Sequence, residues 1–194
     1  KPAGWDLIAE YTRNGAKPDA SIAEKAFNEL LDNIKISNCD YFEDVCNAIL
    51  TRIPAKIEAE NYGFSGFNRS YFVLDTANKS KFYRKNEPVQ IKLDSKDKEQ
   101  FWSEQSIELQ QSEWVVYNFE SLNRKKHQLT IRASAVVAPA SLTIWINNKK
   151  TVVNVIGKEL LEQATGNYKL NKGENKIKIQ VKSGTLKLDW FRFN

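Results

Sequence analysis

Few residues in this 194-residue chain are equipped for chemistry, and those that are offer oxygen ligands. Glu58 and Glu60 stand two apart in Ile57-Glu58-Ala59-Glu60. As a strand, that stretch would project both carboxylates from one face and Ile57 and Ala59 from the other. Two carboxylates side by side repel unless a cation sits between them, and hard oxygen donors suit calcium, which takes roughly six to eight of them. Other chemistry lacks raw material. With one His and two Cys, a zinc site or a Cys/His nucleophile pair is out of reach. The two glutamates also match the separation of about 5–9 Å between the carboxyls of a glycosidase, but so does any extended Glu-x-Glu, and catalysis is not expected. Cys39 and Cys46 would lie about 10 Å apart on one regular helix, beyond disulfide reach.

The elements that must hold these residues come in two styles that meet near Arg52. From Ser21 to Ile36, Ile22, Ala23, Ala26, Phe27, Leu30, Leu31 and Ile34 recur at helical spacing, and Ser21 with Glu24 has the spacing of a capping box. A second, shorter helix is expected over Phe42, Val45, Cys46, Ile49 and Leu50, opened by Asp40 and Glu43. Trp5 to Tyr11 forms at most a short helix, because Asn14-Gly15 and Lys17-Pro18 break the chain just beyond it. After Ile53-Pro54 the period becomes two. Strands are expected at 57–60, 89–93, 114–119, 128–133, 142–146, 151–155, 168–170, 176–181 and 186–193. Between them lie turn signals such as Asn147-Asn148 and Asn171-Lys172-Gly173. The fold class is therefore mainly β, an antiparallel β-sandwich preceded by a short α-helical segment, with residues 1–52 and 53–194 as the two parts. The helical part is either the tail of an upstream domain or a collar docked on the sandwich, with Trp145 a plausible floor for it.

Composition narrows the function. Hydrophobic residues make up 41% of the chain and aromatics 11%, which suits a folded globular protein. No stretch approaches the roughly 20 apolar residues that span a bilayer. The opening Lys1-Pro2-Ala3-Gly4-Trp5 lacks the regions of a signal peptide, so the chain reads as a piece of something longer, with any targeting signal upstream. Six Lys and Arg against nine Asp and Glu give residues 1–52 a net charge of −3, leaving +8 in the remainder. The lysines are dispersed through strand-like segments without an arginine cluster or recognition helix, so nucleic acid is not the expected partner.

Four stretches, taken in order, resemble family 6 carbohydrate-binding modules, a jelly-roll family usually appended to glycoside hydrolases. They are Ile53-Pro54-Ala55-Lys56-Ile57-Glu58-Ala59-Glu60-Asn61-Tyr62; Phe82-Tyr83-Arg84 with Glu87-Pro88-Val89-Gln90-Ile91; Ser112-Glu113-Trp114-Val115-Val116-Tyr117, running on to Leu129-Thr130-Ile131-Arg132-Ala133-Ser134; and Leu188-Asp189-Trp190-Phe191-Arg192-Phe193. The resemblance implies a monomeric, secreted, periplasmic or cell-surface, non-catalytic module that holds an upstream glycoside hydrolase on its polysaccharide. It also implies a structural calcium where the opening and closing strands meet, at positions that here are Glu58, Glu60 and Asp189.

The chain departs from the family at the usual sugar-binding loops. Ile107-Glu108-Leu109 stands near the expected tyrosine, Gly157-Lys158-Glu159-Leu160-Leu161 replaces the tryptophan loop, and Lys187 replaces an asparagine. Stacking of rings on pyranose faces, aided by polar side chains, is the usual basis of sugar binding. The candidates for a rebuilt site are Trp102, in the polar segment 94–105, and Trp145, out of phase with Leu142, Ile144 and Ile146, with Glu108 and Lys187 as polar partners. A lysine in place of a neutral amide implies that the bound glycan is acidic. Trp114 and Trp190 are expected in the core, and His127 in a structural role. The contrary expectation is a degenerate module that serves only as a structural or protein-contact domain.

Overall fold

The computed structural model describes residues 2–40, 42–81, 83–94 and 105–194, and Trp102 lies outside them. The chain divides into two compact units, Lys1–Phe42 and Glu43–Asn194. In the first, helices α1 (Trp5–Asn14) and α2 (Ala20–Asn33) are delimited by local signals. Gly15 closes α1 in the left-handed conformation, its N–H bonded to the Tyr11 carbonyl. The N-cap of α2 is Asp19 rather than the expected Ser21, its carboxylate accepting the Ser21 N–H at 2.8 Å. The Trp5 ring meets Phe27 edge-on at 5.7 Å. No helix among the described residues is long and apolar enough to cross a membrane. Cys39 and Cys46 are free thiols.

A third helix, α3 (Glu43–Ile49), belongs to the second unit. The compact units thus divide before α3, while the residue period changes at Arg52. The buried Asn47 side chain donates to the Pro54 carbonyl at 3.3 Å and ties this helix to the strands beyond it.

Those strands are β1 (Arg52–Ile53), β2 (Lys56–Glu58), β3 (Tyr71–Phe72), β4 (Gln90–Leu93), β5 (Gln105–Gln110), β6 (Trp114–Ser121), β7 (Lys126–Ile146), β8 (Lys149–Val155), β9 (Leu161–Lys169) and β10 (Gly173–Phe193). The sequence suggests two separate strands on either side of 134–141 and again on either side of 182–185. The structure instead makes β7 and β10 single bent strands, paired antiparallel along nearly their whole length. The first half of β10 borders β6, its middle borders β5, and its end borders β2. Beyond β7 lie β8 along one half and β9 along the other; β4 pairs with β5, and β3 with β6. Only β1 with β6 is parallel among the described pairs. The result is a β-sandwich preceded by helices.

The bend can be read in the side chains. In β10 the core residues are Ile177, Ile179 and Val181, then Leu186 and Leu188, then Phe191 and Phe193, with register shifts between the groups. In β7, Leu129, Ile131, Ala133 and Ala135 give way to Ala140, Leu142, Ile144 and Ile146. Each extra residue turns the following side chains to the other face, which lets one strand serve both halves of the sandwich. Gly184 makes the corner possible. Its φ is 74°, and a Cβ there would run into the carbonyl oxygens of Val137 and Pro139. Across the core, Tyr117 of β6 meets Phe191 edge-on and Phe119 stacks on Phe193, both at 4.8 Å. Each such buried ring is worth roughly 1.5–3 kcal/mol of apolar burial.

Candidate functional site

Glu58 and Glu60 reach a common place by a different route from the one the sequence suggests. β2 ends at Glu58, and Ala59–Asn61 is a 3-10 turn, so Glu60 is not the next outward residue of a strand. Glu58 lies opposite Trp190 in the β2–β10 ladder, which brings it beside Asp189. Glu60 is close enough to both to feel their charge: burial first, and then Glu58 and Asp189, push its pKa up to about 7. Its Oε2 is buried without a hydrogen-bond partner. The three acids are nevertheless partly engaged. Lys56 Nζ lies 2.6 Å from Glu58 Oε1, and Arg132 Nη1 lies 2.6 Å from Asp189 Oδ2. Among the described residues, no three His, Cys, Asp or Glu stand together as a ready metal site. The donor chemistry fits a hard cation at the orphaned Glu60 oxygen, provided that Lys56 and Arg132 share their carboxylates with it.

Lys187 and Glu108 are neighbours, directly opposite each other on β10 and β5, and Ser134 of β7 flanks Lys187 on its other side. They line the outer face of the half that contains Leu186 and Leu188. A cleft of about 500 Å³ opens there, with Asp94, Arg132, Ser134, Lys158, Glu159 and Lys187 on its walls. Two of its three cations, Arg132 and Lys187, are matched internally. Lys187 Nζ is 2.7 Å from Asp94 Oδ1, on a side chain only 10% exposed, and Lys92 Nζ faces Glu108 Oε1 at 3.9 Å. No aromatic ring lines this cleft among the described residues.

Trp145 stands elsewhere, on the outer face of the half built from β6, β7, β8 and the start of β10. The core takes Ile144 and Ile146, so Trp145 points out, as its phase predicts. It is not alone. Val115, Tyr117 and Phe119 of β6 point into the core, which turns Trp114 outward too, half-buried and not in the core as its apolar neighbours suggest. Phe72 of β3 stacks on Trp114 at 6.4 Å, and Phe67 stacks on Phe72 at 5.7 Å. Lys178 of β10 stands between the indoles, its Nζ 4.0 Å from the Trp114 centroid and 5.5 Å from that of Trp145. Lys150 of β8 caps Trp145 from the other side at 5.5 Å. A shallow cleft of about 280 Å³ runs beside Trp145, lined also by Ser112, Thr143, Gln180 and Lys182. Trp190 is buried as expected, yet it too is out of phase with the core residues Phe191 and Phe193, and lies against Lys56 and Arg192. His127 is buried at the start of β7.

The residues singled out for sugar contact are thus split. Glu108 and Lys187 share one outer face, Trp145 occupies the other, and Trp102 falls outside the described residues. Trp114, Phe72 and Lys178 were not among the candidates. The odd phase of Val115, Tyr117 and Phe119 was the available signal for Trp114.

No family model matches this sequence, and no curated protein does. Solved structures do resemble the sandwich. A Listeria monocytogenes protein solved with α-D-glucose, β-D-glucose, magnesium and calcium shares 14% identity over 72% of this chain and 12% of its own, with a TM-score of 0.51. A family 36 carbohydrate-binding module solved with calcium and xylotriose shares 18% identity over 72% of this chain and 98% of its own, at a TM-score of 0.47. The C-terminal family 6 module of a laminarinase from Zobellia galactanivorans shares 15% identity over 72% and 97%, at 0.48. At these identities the likeness is one of fold.

Proposed function

We propose that the sandwich is a non-catalytic carbohydrate-binding module that holds a glycoside hydrolase on its polysaccharide outside the cell. One observation carries the reading: two tryptophans, Trp114 and Trp145, are presented together on an outer sheet face, extended by Phe72 and bordered by the polar side chains of Thr143 and Gln180. Indole faces stack on pyranose rings, and nearby amides and hydroxyls fix their orientation. A calcium ion at Glu58, Glu60 and Asp189 would satisfy the orphaned Glu60 oxygen and pin β2 to β10. Its role would be to stabilise the fold, since this site and the ring platform are built from different strands.

Affinity electrophoresis of the whole chain through gels containing single polysaccharides tests the reading. Retardation by at least one polysaccharide is expected, and Trp145→Ala should weaken it about tenfold, equivalent to roughly 1.4 kcal/mol. Retardation unchanged in Trp145→Ala and in Trp114→Ala would remove the ring platform from the account. A second reading, a degenerate module with a structural or protein-contact role, is favoured by the Lys187–Asp94 pair, which fills the position where the resembled family places a sugar-binding amide. Absence of retardation by every polysaccharide would establish that reading instead.

A further inference from the structure

Lys178, Lys150 and Lys182 share the face of Trp114 and Trp145, and among the described residues none of the three has a carboxylate within ion-pair distance. Lys178 is the most confined. Its register partners are Val116 of β6 and Trp145 of β7, and its neighbour along the strand on that face is Lys176. The glutamates of this face, Glu120 and Glu174, lie opposite each other at its far end, and Glu120 is taken by Arg52. Among the described residues the face therefore offers cations resting on rings, with its glutamates confined to the far end.

We propose that this face binds an anionic polysaccharide, one whose pyranose rings stack on Trp114 and Trp145 while their carboxylate or sulfate groups draw off Lys178 and Lys150. The inference rests on the sugar-binding reading of the same face and names the class of sugar. Its physical basis is an exchange of partners. The ammonium of Lys178 lies 4.0 Å from the Trp114 centroid and 5.5 Å from that of Trp145, and that of Lys150 lies 5.5 Å from Trp145, so a sugar that stacks on those ring faces takes the place of the ammonium groups. A neutral sugar displaces a cation from its ring and returns nothing to it. An acidic sugar replaces the ring with an ion pair at the moment it takes the ring for itself. The lysines thus act as a charge filter over the platform. The contrast with Lys187 is direct: an anion approaching that residue would have to compete with Asp94.

The test uses the whole chain and matched polymer pairs: polygalacturonate against its methyl ester, and dextran sulfate against dextran. Each pair keeps the ring and changes the charge. Binding at least tenfold tighter to one charged member than to its neutral counterpart is expected, and the pair that shows it identifies the anionic group as carboxylate or sulfate. Lys150→Gln/Lys178→Gln together should reduce that preference about tenfold, and Lys172→Gln, on a turn away from the face, should leave it unchanged. Salt supplies a readout that needs no variant, since raising it from 50 to 500 mM should weaken the charged member selectively. Equal binding within both pairs would overturn the charge filter and leave sugar binding standing. Binding of none of the four polymers, with retardation by some other neutral glycan, would also overturn it. No binding to any glycan would overturn both readings. Binding of double-stranded DNA as tightly as the charged glycan would reduce the effect to general attraction of polyanions and overturn the ring-specific proposal.

Discussion

The two outer faces of the sandwich treat their cations in opposite ways. On the face bearing Lys187, three cations are paired inside the protein, Lys187 with Asp94, Arg132 with Asp189 and Lys92 with Glu108, while Lys158 of the same cleft has no ion pair among the described residues. On the face bearing Trp145, Lys178 and Lys150 rest against indoles and meet no carboxylate among the described residues. Both are lysine-rich strands of one domain, and net charge cannot tell them apart. What separates them is the strength of the existing partner. A part-buried carboxylate holds an ammonium firmly, whereas an exposed ring holds it by only about 0.5–1 kcal/mol. The first arrangement contributes to folding and resists a ligand; the second contributes little and yields to one.

The contrast depends on the corner that sets the phases of the two halves. Gly184→Ala should cost about 3 kcal/mol or more, through a left-handed backbone and a Cβ forced onto two carbonyls. Urea unfolding reads it, and a loss under about 1 kcal/mol would mean that the corner relaxes freely. The proposed calcium should have the second-largest effect. At a hundred times its dissociation constant it should add about 2.7 kcal/mol, so chelation should lower Tm by about 5–10 °C, and Glu60→Gln should erase the difference. Identical melting of a verified metal-free sample with and without added calcium would dismiss the site.

The same chemical change on the two faces then gives opposite outcomes. Lys187→Met leaves Asp94 part-buried and unpaired and should cost about 1–3 kcal/mol, most of it recovered in Asp94→Asn/Lys187→Met. Lys178→Met breaks no ion pair and should change stability by less than about 0.5 kcal/mol. Comparable losses in both variants would erase the distinction. The smallest effect is one of pH. Burial, and then the charge of Lys176, lower the pKa of Lys178. A lysine whose folded-state pKa is depressed destabilises the fold while it is protonated, and the penalty fades as pH rises toward the ordinary lysine value of 10.5. The wild type should therefore gain slightly on Lys178→Met as pH climbs from about 8 to about 10.

Much of this was legible in the sequence. Alternation placed most of the strands, helical spacing placed α2, and the phase of Trp145 against Leu142 and Ile144 put it on the outer surface. Glu58 does lie across the ladder from Trp190, next to Asp189, but Glu60 sits on a 3-10 turn and not on the strand that its spacing suggested, and the three acids form no ready metal site among the described residues. What escaped did so for identifiable reasons. Trp114 looked like core because apolar neighbours flank it, yet Val116 and Trp114 share the outward phase, so counting apolar residues misled where counting parity would not have. The role of Lys187 depended on Asp94, distant in sequence and visible only once β4 and β10 were placed beside β5. The continuity of β7 and β10 was hidden by the very bulges that let them turn, since each shift interrupts the alternation by which a strand is recognised.

β10 leaves the ribosome after the other nine described strands, and it is the one that borders β2, β5, β6 and β7. Until Gly173–Phe193 emerges, four of the nine strands already synthesised, β2, β5, β6 and β7, lack one of their neighbours. Helical segments can form as they appear, but such long-range pairing must wait. The nascent sandwich therefore passes through translation with four open edges, so its exposure to proteases and chaperones is set in part by how quickly β10 can be captured.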